Sequence, residues 1–157
     1  MRYNMSSLKS ASATAMTAVS QKTLPRWRSS VPLYQHLGFR LDELEDGRSQ
    51  VRLAFQPHLA NTRGDVHGGT VAAIVDAAMS QAVRSLVDMA MGVATMNMNI
   101  NYLAPARGEI ICKGAVIKRG RSIMFTEAEV FGEDGELACR ASGSYRVLPS
   151  SVYKKKS

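Results

Sequence analysis

One carboxylate stands apart in this 157-residue chain. Asp76 is, with His67, the only ionisable side chain between Val66 and Val83, and Ile74, Val75, Ala77, Ala78 and Met79 surround it in sequence. Burying an unpaired carboxylate is costly or forces it to take up a proton, so a residue of this kind has either a partner or a task. The partner would be an arginine or a set of backbone N–H groups. The task would be that of a general base or a nucleophile.

A second feature lies just upstream, in Asp65-Val66-His67-Gly68-Gly69-Thr70. Two glycines before a helical segment allow close backbone approach, and free N–H groups at a helix start face outward with the positive end of the dipole. Such donors can polarise a carbonyl whose oxygen gains charge during attack, an effect worth about 2.7–4 kcal/mol for one donor. The plainer alternative is a glycine-shaped helix entrance with His67 packed beside it. His36 and His58 have no Cys, His or acid at ligand spacing, so the sequence offers no metal site.

The elements that must position these groups follow from periodicity and turn residues. VPLYQHLG reads as a short helix ended by Gly38. FRLDEL and SQVRLAFQ read as strands joined across Glu45-Asp46-Gly47-Arg48, where Asp-Gly signals a hairpin. After the polar loop HLANTRGD, the segment TVAAIVDAAMSQAVRSLVDMA contains neither Gly nor Pro and is rich in helix formers; it is apolar nearly all round and should be buried. The period then switches to two, with Met96, Met98, Ile100 and Tyr102 alternating with Thr95, Asn97, Asn99 and Asn101. EIICKGAVIK, SIMFTEAEVF and ELACRASGSYRVL complete four strands in meander order, separated by Gly-rich turns. The class is α+β: a mainly antiparallel sheet curved around one long helix.

Composition narrows the function. A chain of this length with 45% apolar residues is one domain, spanning 31–150. The formal charge of +7 suggests nucleic acid, but its distribution argues against that. Arg2, Lys9, Lys22, Arg26 and Arg28 lie in a Ser/Ala-rich extension over 1–30, and Lys154, Lys155 and Lys156 in a tail over 151–157; without these eight, 12 basic residues face 13 acidic ones. The extension shares features with an organellar transit peptide but lacks its dense arginines, and the expectation is an uncleaved, loosely ordered or weakly helical segment. No long uncharged apolar run marks a membrane span. Cys112 and Cys139 have no CxxC or metal spacing and read as small buried hydrophobes in a reducing, cytoplasmic setting.

Asn61-x-x-Gly64-x-x-His67-Gly68-Gly69, with Asp76 nine residues after the histidine and then the strand MNMNINYLAPARG, resembles the phenylacetate-pathway (PaaI-like) hotdog-fold acyl-CoA thioesterases over about residues 31–148. The resemblance implies a central helix wrapped by a curved sheet, an active site shared by two subunits, often in a homotetramer, and no cofactor. It makes Asp76 the nucleophile or the general base that activates water, and Gly68 the residue whose backbone N–H holds the thioester carbonyl. Asn61 would orient thioester or water, and Thr95 would add a hydroxyl from the strand. His67 and Gly69, with the basic turn Lys118-Arg119-Gly120-Arg121-Ser122, would meet the CoA moiety; cations and backbone donors suit phosphate, although a solvated hairpin would look the same. The implied reaction is hydrolysis of an aryl or medium-chain acyl-CoA. A non-catalytic acyl-CoA binding or regulatory protein is the competing class, but a binding module has little use for a carboxylate in an apolar helix. A dehydratase on the same fold would need a His and acid pair that is not seen here.

Overall fold

A computed structural model of the chain describes residues 31–153; the basic extension over 1–30 and the lysines at 154–156 lie outside the described residues. Helix α1 (Pro32–Leu37) begins on a proline, where a missing N–H costs nothing, and ends at Gly38 in the left-handed region. Strands β1 (Arg40–Glu45) and β2 (Arg48–Leu53) follow. Asp46 and Gly47 between them both have positive φ, at 48° and 80°, as a two-residue type I′ hairpin turn requires.

Helix α2 (Gly68–Arg84) lies against the sheet that β1 and β2 complete with β3 (Gly92–Tyr102), β4 (Ile110–Arg119), β5 (Ile123–Phe131) and β6 (Leu137–Leu148). A short helix α3 (Ser150–Tyr153) follows. Every pairing is antiparallel, in the order β1-β2-β4-β5-β6-β3. The core sits between helix and sheet: Val71, Ile74, Val75, Ala78 and Met79 on α2 are buried with Val51, Leu53, Ile110, Cys112 and Val130 beneath them. The closest approach is at Gly114, where an added Cβ would lie 2.7 Å from the carbonyl carbon and oxygen of Ala78. Ser49 also ties the sheet to α2, donating its hydroxyl proton to the Ala78 carbonyl at 2.6 Å.

Three expectations need correction. The helix does not run to Ala90. The Ser85 hydroxyl donates back to the Ala82 carbonyl and accepts the Gly47 N–H, and Asp88 Oδ1 then accepts the Ala90 N–H in a local turn, so side chains satisfy the backbone that a longer helix would have used. The last four strands do not form a simple meander, because β3 pairs with β6 and leaves β4 to pair with β2 and β5. The Asn-bearing β3 thus takes the edge, and the strand carrying Cys112 and Gly114 takes the centre beneath the helix. Finally, α2 is not buried all round. Ala72, Ala73, Asp76 and Ser80 form a half-buried stripe at spacings of three and four, from which Asp76 reaches the β3–β6 side of the sheet.

Because the atoms against Gly114 are backbone and cannot swing aside, Gly114→Ala should destabilise the fold by about 3 kcal/mol, the upper range for overpacking. Thermal denaturation should show a Tm lower by about 10 °C. An unchanged Tm would mean that helix and sheet do not meet as closely as described.

Candidate active site

Two groups of functional side chains form at two points along α2. The first gathers at its start. His67 caps the helix, its Nδ1 accepting the Gly69 N–H at 2.9 Å, and the Thr70 and Val71 N–H groups bond to the His67 carbonyl. Among the described residues no acceptor takes the Gly68 N–H, the first amide of the helix. The Gly68 carbonyl accepts from the Tyr102 hydroxyl at 2.9 Å, which holds this turn against the end of β3. Asn61 reaches the same place from the preceding loop. Its Oδ1 accepts the Arg63 N–H at 2.8 Å and the Asp65 N–H at 3.3 Å, so its carbonyl is spent on the loop and Nδ2 is the end left to donate. Asn61, Gly68, Arg63 and Tyr102 line a cleft of about 420 Å³.

The second group surrounds Asp76, two turns further on. Its Oδ1 accepts the Thr95 hydroxyl at 2.7 Å and the Tyr145 hydroxyl at 2.9 Å. Regular alternation along β3 would have put Thr95 on the face of Asn97, Asn99 and Asn101, away from the helix. A bulge between Thr95 and Asn97 resets the pairing with β6, so that Thr95 stands opposite Tyr145 and both hydroxyls face the carboxylate. Met98 and Ile100 beyond the bulge keep their inward positions, packed against the core.

Tyr145 has no counterpart among the residues expected from sequence. It is fully buried, and burial, followed by the charge of Asp76, holds its phenol far above the ordinary value; it is a neutral donor at any working pH. A signal for it existed: Cys139, Ala141, Gly143, Tyr145 and Val147 share the inward face of β6, and a tyrosine on such a row must find a hydrogen-bond acceptor.

The remaining expected residues lie elsewhere. The turn Lys118-Arg119-Gly120-Arg121-Ser122 joins β4 to β5 with its side chains in solvent. Arg119 pairs across to Met124, Met124 to Tyr145 and Tyr145 to Thr95, so the turn lies at the Asp76 end of the sheet, three strands or about 14 Å from Thr95. It touches neither functional group. Among the described residues no three His, Cys, Asp or Glu side chains gather as metal ligands would, and no helix is long and apolar enough to cross a membrane. Cys112 and Cys139 are unpaired and buried, and burial pushes the Cys139 thiol up to about 11, away from reactive thiolate.

Comparison with known proteins agrees with this architecture. The family model of the thioesterase superfamily matches residues 63–139, which contain Gly68, Asp76 and Thr95 but neither Asn61 nor Tyr145. An esterase-named protein of Halobacterium salinarum is 35% identical over 128 residues, covering 74% of this chain and 84% of that protein. The crystal structure of a thioesterase family protein from Silicibacter pomeroyi superposes with a TM-score of 0.74 at 27% identity, over 79% of this chain and 96% of that one. The PaaI protein from the phenylacetic acid degradation operon of E. coli has the same fold, with a TM-score of 0.71 at 16% identity, over 76% and 86% of the two chains. The chain belongs to the thioesterase superfamily, with the hotdog fold and the thioester-hydrolysing chemistry that go with it.

Proposed function

We propose that the protein hydrolyses an acyl-CoA, aryl or medium-chain, to the free acid and CoA, at a site that two copies of the chain build together. The observation that carries this reading is the separation of the two groups on α2. Eight residues of helix part Gly68 from Asp76, a rise of about 12 Å. A carbonyl bonded to the Gly68 N–H puts its carbon only about 4 Å from that nitrogen, and attack needs the nucleophile within about 3.5 Å of the carbon. Even with the Asp76 side chain extended toward the helix start, direct attack within one chain on the carbonyl that its own Gly68 holds needs every one of these lengths to lie along the helix axis, a geometry that leaves no room for an angled approach.

A second copy closes the gap. Strand β3 is an 11-residue edge strand with Met96, Tyr102 and Leu103 exposed along and just beyond it, and such an edge calls for a partner. If two β3 strands pair antiparallel about a two-fold axis at Asn99, with Met96 the extra residue of the bulge, Thr95 of one chain lies opposite Tyr102 of the other. Thr95 bonds Asp76 and Tyr102 bonds Gly68, so that pairing faces each carboxylate with the other chain's free amide. The same contact covers the half-buried stripe of α2. The dimer is the least functional unit, and a homotetramer would repeat it.

In this site Asp76 attacks the thioester carbon or takes a proton from the attacking water. The Gly68 N–H stabilises the developing oxyanion, and Asn61 Nδ2 orients thioester or water beside it. The turn from Lys118 to Ser122, with His67 and Gly69 at the helix start, meets the CoA arm and its phosphates.

Two measurements test these roles. Asp76→Asn, nearly isosteric, should keep the fold and assembly while kcat falls by at least about 100-fold, the scale on which lost acid–base groups act; near-normal turnover by the folded variant would overturn the assignment. Replacing Arg119 and Arg121 together with Ala should raise KM for acyl-CoA, most at low salt and little at high salt. An unchanged KM at low salt would return that turn to the role of a solvated hairpin.

A further inference from the structure

We infer that Tyr145 is a positioning residue for the reaction, fixing which oxygen of Asp76 faces the substrate; the inference rests on the role proposed for Asp76. Both hydroxyl donors in reach of the carboxylate, from Thr95 and Tyr145, converge on the same atom, Oδ1. With Oδ1 held on two sides, the carboxylate cannot rotate without breaking both bonds. Among the described residues no hydrogen bond is made to Oδ2, which is left as the oxygen that meets water or the thioester carbon.

The two donors differ in how firmly they are held. Thr95 sits on an exposed part of the edge strand, whereas Tyr145 is enclosed, with Met98 Sδ 3.7 Å from its hydroxyl and the Asp76 carbonyl at 3.5 Å. Its ring position is set by β6, paired on one side with β5 and on the other with β3. Tyr145 is therefore the rigid member of the pair. No cation takes part in a hydrogen bond or ion pair with Asp76 among the described residues. The titratable groups that face it are Tyr145 from β6 and Tyr34 from α1, whose phenol lies near Ser80; Arg84 stands two turns further along α2 and acts on Tyr34. Oδ1 is thus held by neutral hydroxyls and not by an ion pair.

The test is Tyr145→Phe, which removes one oxygen from a buried ring, read beside wild type and Asp76→Asn. The expected result is a fall in kcat of about tenfold with KM little changed and the assembly intact, because the carboxylate has lost the donor that fixes its orientation. A purely structural role would lower Tm and leave kcat of the folded protein near wild type. If the phenylalanine variant fails to fold, 2,3-difluorotyrosine at position 145 keeps the shape and makes the phenol a stronger donor, so kcat should change several-fold while KM and Tm stay near wild type. A kcat near wild type in the folded variant, while Asp76→Asn is inactive, would overturn the role of Tyr145 alone. Activity retained by Asp76→Asn would instead overturn the reading on which it rests.

Discussion

A 17-residue helix laid on one face of a six-stranded sheet has only part of its circumference covered, and the rest of this structure depends on that constraint. The covered face supplies the core, with Val71, Ile74, Val75, Ala78 and Met79 against the central strands. The half-covered stripe carries Ala72, Ala73, Asp76 and Ser80, small or polar residues that tolerate a half-wet environment. The helix rise also sets a fixed distance between the amide at its start and the carboxylate in its middle. In the proposed dimer, site, edge strand and assembly are one problem: what covers the helix also completes the chemistry.

Much of this was legible in the sequence because it depended on local pattern. The Asp-Gly turn, the strand periods and the long helix free of Gly and Pro all arise from residues near one another in the chain. So did the isolation of Asp76 and the glycine pair before the helix. The parts that were not legible depended on contacts between distant segments or on competition for single hydrogen bonds. No local signal says that β3 crosses to β6, since that choice rests on which strand packs best beneath the helix. The helix end at Arg84 rests on the Ser85 hydroxyl, and apolar periodicity is blind to it.

The bulge at Met96 shows the limit most clearly. Strict alternation assigns Thr95 to the wrong face, and one extra residue in the strand reverses it, bringing the hydroxyl to Asp76 opposite Tyr145. The family resemblance proposed Thr95 for the site, but nothing in the sequence showed how its hydroxyl reaches Asp76. Tyr145 was visible as an inward tyrosine, yet its acceptor lies 69 residues away and only the fold joins them. The basic turn at Lys118–Ser122 stands about 14 Å from Thr95, too far for direct chemistry and within the reach of the CoA arm in the proposed complex.

The most direct test of the composite site is subunit complementation. One inactive protein carries Asp76→Asn and the other Gly68→Trp, which occludes the free amide at the helix start. Each heterodimer should then contain one site with both defects and one intact site, made of Asp76 from the second chain and Gly68 from the first. With equal amounts exchanged at random, activity should return to about a quarter of the wild-type value per chain. If mixed oligomers form, as native mass spectrometry would show, and no activity returns, both groups act within one chain and the shared site is wrong.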